Sequence, residues 1–267
     1  MKPAPPVTNT RMPSSLLDRP IVTLKPQILA HPGRGLAYLG AMAAPLVMLG
    51  VIHRDPEGAE RLALALAGRE WGLVSVEVSP FALAWRRRRG PELLARLAAN
   101  LPAAARAAGL SPAEAAAHPG PAWLRAYLEP PYEWTVSRRL AAARGAPCVA
   151  LDFSALSRRL LAGADELVGP ANLARLLSAP VPAGAGLERR RAADLMAGRG
   201  GWPRPPAPEP AREAGLARRI ARLAAAAARR GRGGLVHVGG WQHLLSGQDP
   251  PALADRLGAA GQDRVLI

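Results

Sequence analysis

The sequence predicts an α/β fold: a mixed, largely parallel central sheet with helices on both faces and a helical insertion. Three observations predict it. The run Leu46-Val47-Met48-Leu49-Gly50-Val51-Ile52 is apolar throughout, as a strand covered on both faces should be. A helix-spaced stretch, Gly58 to Leu66, leads from it to a second strand candidate at 73–78, and a strand–helix–strand unit of this length implies parallel pairing. Further strand candidates at 147–152 and 235–239 are likewise set apart by helical segments, so all four are expected in one sheet.

Taken in order, residues 1–35 read as an irregular arm. They are rich in proline and polar residues and lack the early apolar core of a signal peptide. Residues 36–267 then form a single domain. Leu36 to Ile52 is uncharged for 17 residues, near the short limit for a membrane span. Pro45 and the glycines and alanines keep its hydropathy modest, so a buried strand from Leu46 is expected and no membrane span. Asp55-Pro56 reads as the start of the following helix. In 73–78, Val74, Val76 and Val78 alternate with Ser75 and Glu77. Residues 81–143 form the helical insertion, broken at Pro91, Pro102, Pro112 and the Pro119–Pro121 region. Within it, Ser111-Pro112-Ala113-Glu114 has the form of a capping box. Residues 154–180 are helical, 181–210 a long proline- and glycine-rich loop, 211–230 an Ala/Arg helix, and 264–267 a short last strand.

At 267 residues and 49% hydrophobic content the chain can bury a substantial core. Its one cysteine, Cys148, excludes an intrachain disulfide and fits a cytoplasmic location. Cys148 opens a strand with no activating base beside it, and reads as a small buried residue rather than a nucleophile. The net charge is +15, and the basic residues are arginine except for Lys2 and Lys25. Such a charge favours anionic partners. The arginines nevertheless fall in short scattered groups, such as Arg86 to Arg89 and Arg189 to Arg191, without interleaved aromatics. They read as solvated helix faces, and nucleic acid is not the expected partner. The oligomeric state does not follow from the sequence.

Two segments echo each other. Gly50-Val51-Ile52-His53 leads to Asp55-Pro56, and Gly240-Trp241-Gln242-His243 leads to Asp249-Pro250; each begins where a strand ends and is followed by a helix. In an open parallel sheet, ligands bind outside the carboxyl ends of the strands, so His53 and His243 are expected over one edge. Glu77 sits near the end of its own strand among valines, where a carboxylate needs a partner. The other histidines have weaker claims. His31 and His118 lie beside prolines and read as surface residues, while His237, between Val236 and Val238, reads as a core histidine. Trp241 serves equally as a pocket wall or as packing.

At these residues the chain resembles the TraB/Tiki superfamily, which also takes in the erythromycin esterases and the ChaN haem-binding proteins. The resemblance runs through Gly50 to His53, the strand Val74-Ser75-Val76-Glu77-Val78, and Gly240 to His243. It extends to Arg212-Glu213-Ala214-Gly215-Leu216-Ala217-Arg218-Arg219-Ile220, which looks like that superfamily's Arg-Asp/Asn-x-x-Met-Ala-x-x-Ile helix with Glu213 in place of the usual Asp or Asn. The motifs span residues 46–245 in the expected order; the middle helices match nothing. The resemblance implies an α/β domain with both histidines and the glutamate in one pocket.

A hydrolase of peptide or ester bonds is therefore expected, acting on a small-molecule or peptide substrate. His53, Glu77 and His243 would hold a divalent metal ion, with Glu77 as ligand or as the base for a water, and Arg212 would hold Glu77 or stabilise an oxyanion. A metal-free form would use His53 as general base, tuned by Glu77. The alternatives are a binding protein for haem or another ligand without turnover, with Tyr127 and Tyr132 as candidate haem ligands, and an inactive relative acting as a scaffold.

Overall fold

The computed structural model describes residues 23–24, 45–180, 184–206, 209–229, 231, 233–258 and 262–267. Its strands are β1 (Thr23–Leu24), β2 (Leu46–Val51), β3 (Leu73–Val76), β4 (Cys148–Ala150), β5 (Leu235–Gly240) and β6 (Gln262–Leu266). They form one six-stranded sheet in the order β1-β6-β2-β5-β3-β4. All pairs are parallel except β1 with β6. The expected parallel α/β sheet is present, and the four foreseen strands all belong to it. β3 and β4 end earlier than expected, so Glu77 and Asp152 stand just beyond the carboxyl ends of their strands.

The helices are α1 (Gly58–Ala67), α2 (Pro80–Ala107), α3 (Pro112–Ala117), α4 (Pro119–Leu128), α5 (Tyr132–Ala143), α6 (Ser154–Leu161), α7 (Ala164–Leu167), α8 (Pro170–Ser178), α9 (Ala185–Met196), α10 (Pro210–Arg229) and α11 (Leu253–Arg256). One face of the sheet, with Val51, Val74, Val76 and Val238, packs on Leu62 and Leu66 of α1 and on Trp134 and Ala141 of α5. The other face, with Met48 and Leu235, packs on Leu216, Ile220 and Ala224 of α10 and on Leu253 of α11. This two-sided cover is why β2, β3 and β5 read as apolar runs. A third core lies off the sheet. There Leu93 and Leu97 of α2 meet Leu124 and Leu128 of α4 and Leu173 and Leu177 of α8. The segment 81–143 thus divides: α5 covers the sheet, while α2 and α4 join helices from beyond β4.

Four expectations are corrected. α2 runs unbroken through Pro91 and Pro102, because Leu93, Leu97, Ala104 and Ala105 are all buried and their packing outweighs two lost backbone bonds. The loop expected at 181–210 contains α9, whose Ala192, Leu195 and Met196 pack beside Ile52, Trp241 and Leu245. The arm is not wholly irregular, since Thr23–Leu24 pairs with β6; the rest of 1–35, with His31, lies outside the described residues. Asp55 does not cap α1, which begins at Gly58. Its carboxylate instead accepts from the Glu57 N–H and pairs with Arg61 and Arg189. The capping box forms as expected: Ser111 Oγ accepts from the Glu114 N–H at 3.2 Å, and the Glu114 carboxylate from the Ser111 N–H at 2.8 Å. Among the described residues no helix is long and apolar enough to cross a membrane. Leu46–Val51, the core of the ambiguous stretch, is a strand in the middle of the sheet.

Candidate functional site

The site follows from strand order. β2 and β5 are neighbours in register, Gly50 beside Gly239 and Val51 beside Gly240, and β3 flanks β5 on its other side. Three carboxyl ends therefore meet at one edge, at the crevice where ligands of open parallel sheets bind. His53 lies in the turn after β2, Glu77 just past β3, and His243 in the 3-10 turn Trp241–Leu244 that follows β5. Arg212 arrives from the first turn of α10, with Leu216 and Ile220 anchoring that helix on the sheet. His53, Glu77, Arg212 and His243 all line one cavity of about 290 Å³, together with Ile52, Glu188, Gly240, Trp241 and Gln242.

Glu77 is the hub. Its Oε1 accepts from His243 Nε2 at 2.8 Å and from Arg212 Nη2 at 2.5 Å, and its Oε2 accepts from the Gly240 N–H at 2.8 Å. Burial alone would raise its pKa, but His243, Arg212 and His53 hold it well below the usual carboxylate range. Arg212 is fixed in turn by Asp152, with Nε on one carboxylate oxygen at 3.0 Å and Nη2 on the other at 2.9 Å.

The two histidines share a device. His53 Nδ1 meets Glu133 Oε1 at 2.7 Å, and His243 Nδ1 meets Glu213 Oε2 at 2.9 Å. Both glutamates are buried. An ionised carboxylate only accepts, so Nδ1 carries the proton in each ring, and Nε2 is the atom left for chemistry. The rings then diverge. His243 Nε2 also faces a carboxylate, so this ring is an imidazolium: burial opposes its charge, Glu77 and Glu213 overcome it, and its pKa is pushed up to about 10. His53 is 51% exposed in its side chain, and its Nε2 turns toward the edge of the cavity. A Cβ on Gly240 would lie 3.0 Å from that nitrogen and 3.8 Å from Glu77 Oε2. Burial lowers the His53 pKa and Glu133, with Glu77 behind it, more than restores it, leaving it above its ordinary value.

The remaining expectations sort as follows. His237 is in the core, with Ser75 Oγ at 3.0 Å from Nδ1, but Nε2 has no partner among the described residues. Burial lowers its pKa to about 4, so it is neutral. His118 is half-buried and caps α4, its Nδ1 accepting from the Gly120 N–H. Trp241 both packs and walls the cavity, donating to Glu188. Burial raises the Cys148 thiol to about 11, which makes it inert. Tyr127 and Tyr132 donate to the backbone carbonyls of Leu160 and Ile52, and neither lines the cavity.

Three carboxylates that brace the cavity's side chains were not foreseen. Asp152 had a signal, an acid closing an apolar strand as Glu77 does. Glu213 had a weaker one, standing beside Arg212. Glu133 had none, since an acid in the first turn of a helix is ordinary.

Among the described residues no three His, Cys, Asp or Glu side chains are grouped to hold a metal ion. Glu77, Glu133, Asp152 and Glu213 surround one guanidinium and two imidazoles, so neutral rings would leave three negative charges in excess. Both rings also have the carboxylate-backed Nδ1 that metal-binding histidines use. Fold and site together define a class: a parallel α/β protein with a charged histidine–carboxylate cavity at its strand ends. No family model, curated protein or solved structure matches the chain.

Proposed function

We propose that this chain is a hydrolase of peptide or ester bonds, acting on a small-molecule or peptide substrate in the cavity over β2, β5 and β3. The observation that carries the reading is the pair of glutamate-backed histidines whose Nε2 atoms converge on the surroundings of Glu77. A structural role alone gives no reason for two rings 190 positions apart to be braced alike at one cavity. The resemblance to the TraB/Tiki superfamily belongs to this proposal.

Two forms of the chemistry share these residues. In one, His53 Nε2, Glu77 and His243 Nε2 hold a divalent ion, which when bound would supply a polarised water. In the other, His53 Nε2 itself takes the proton of the attacking water, while Glu133 keeps the ring in the required tautomer and stabilises its charged form. Glu133, rather than Glu77, is the group that tunes His53. Glu77 is too firmly held as a carboxylate to be the base, and it positions His243 and Arg212. Arg212, charged and lining the cavity, faces the developing oxyanion.

The test replaces His53, Glu77 and His243 singly with Ala and follows metal content, fold and hydrolysis of an ester and peptide panel. Loss of metal or activity in all three supports the first form. Loss of ester cleavage at His53 alone, with no metal found, supports the second. For that form Glu133→Gln is the sharper variant. A base works deprotonated, so activity rises with pH through the His53 pKa. Without Glu133 that pKa falls, and the acid limb should move to lower pH with a smaller plateau. An absorbance scan showing a Soret band, with no hydrolysis, would replace this reading by haem binding.

A further inference from the structure

Arg54, the residue after His53, is the sole non-glycine residue among those described with a positive φ, at 62°. An arginine gains nothing locally from the left-handed region, and outliers of this kind cluster at ligand sites. The conformation directs its side chain onto α4. The guanidinium lies 4.3 Å from the centroid of Trp123 and 5.5 Å from that of Tyr127, two rings stacked 5.8 Å apart at 4°. Arg86 of α2 lies 5.7 Å from the Tyr127 centroid, and its Nε donates to the Tyr127 carbonyl at 2.9 Å. Two guanidiniums are thus fixed around one aromatic pair, and one of them belongs to the chain neighbour of His53; the pair stands outside the residues that line the cavity itself. Among the described residues neither forms an ion pair, whereas Arg61, Arg89, Arg96, Arg189, Arg199 and Arg212 each meet a carboxylate. The acid whose field reaches both is Glu133, already committed to His53. Trp123 remains 43% exposed, so the platform is open to solvent.

We propose that Arg54 and Arg86 form an anion subsite, which selects substrates carrying a carboxylate or phosphate group near the bond to be cleaved. This rests on the hydrolase reading above and deepens it. Paired guanidiniums held rigid by stacking on aromatics are preorganised for an oxyanion, and the aromatic faces favour one borne on a flat or apolar body.

The test separates binding from turnover. The full chain is titrated calorimetrically with phenylphosphonate and with glutarate, which distinguishes the phosphate from the carboxylate arm. In parallel, mono-p-nitrophenyl glutarate and p-nitrophenyl acetate are compared as charged and neutral esters. Arg54→Ala and Arg86→Ala should each weaken binding of at least one anion by roughly tenfold. They should raise KM for the glutarate ester by a similar factor and leave the acetate ester unchanged. Arg54→Gly should behave as Arg54→Ala toward anions while raising the thermal midpoint, because glycine is unstrained at this φ. His53→Ala should keep anion binding, so anion binding without ester cleavage by the wild type would sink the hydrolase reading and spare the subsite. Equal anion affinities in wild type, Arg54→Ala and Arg86→Ala, or equal losses on both esters, would overturn the subsite.

Discussion

Glu77 shows how much a single side chain can require of its neighbours. Three donors reach its two oxygens, and the space around Oε2 exists because positions 239 and 240 lack side chains. A Cβ on Gly239 would lie 2.8 Å from Glu77 Oε2, closer than real contacts allow, and 3.0 Å from His237 Nε2, tighter than most. Neither group can retreat, since one is held by three hydrogen bonds and the other is packed inside the sheet. Gly239→Ala should therefore destabilise the protein by about 1–3 kcal/mol. It should also lower ester or peptide hydrolysis by on the order of 100-fold, because displacements of about 1 Å at a charged site act at that level. Unfolding in urea and initial rates check the two effects, and an unchanged rate would show that the hub can shift without harm. At this scale the sequence was partly legible. An acid among valines announced Glu77, and glycine three residues before histidine announced His53 and His243. Of the braces, Glu213 was marked only by its place beside Arg212, and Glu133 was not legible, because it looks like an ordinary helical acid until the fold brings it under a ring.

At the scale of elements, apolar runs marked the strands well, and proline marked the helix breaks unevenly: Pro112 and Pro119 open helices as expected, while Pro91 and Pro102 do not interrupt α2. β2 and β5 are buried along nearly their whole length, so their composition alone identified them. α2 misled because proline acts locally while the decision is tertiary: Leu93, Leu97, Ala104 and Ala105 gain more by lying on one continuous helix than Pro91 and Pro102 lose. α9 was hidden for the converse reason, since of its twelve residues only Ala192 is fully buried and its surroundings are rich in proline and glycine. The account of α2 predicts a gain of stability. Pro91 and Pro102 are both exposed, so replacing either with Ala restores an N–H to the ladder without disturbing the core. An interior helical proline costs about 3 kcal/mol, less the roughly 0.4–1 kcal/mol by which proline restrains the unfolded chain. Each variant should be more stable by about 1–3 kcal/mol in chemical denaturation. A neutral result would mean that the helix already bends to satisfy the carbonyls the prolines leave behind.

For the molecule as a whole, site and fold share the same charges, so global stability should report on the site's protonation. The two buried histidines pull in opposite directions. His243 has its pKa raised from 6.5 to about 10, so the native state keeps a proton that the unfolded chain gives up. Its contribution is complete below about pH 6.5 and is lost as pH rises through 10. His237 has its pKa lowered from 6.5 to about 4, so the unfolded chain takes up a proton that the native state refuses. Stability therefore falls as pH drops from about 6.5 toward 4, and Glu77 deepens the fall below its ordinary value of 4.5. The two limbs meet near neutrality, so urea midpoints measured with a chelator between pH 4 and 10 should peak at about pH 6.5. Each limb is governed by a proton difference of up to one, about 1.4 kcal/mol per pH unit. His237→Asn should flatten the acid limb alone. Glu213→Gln, which removes one of the two carboxylates sustaining the His243 charge, should flatten the alkaline limb and lower the whole curve. Stability that climbs steadily from pH 6.5 to 9 would mean that His243 is neutral in the folded protein. The carboxylate clamp drawn around it would then have to be abandoned, and with it the account of why Glu77 stays ionised.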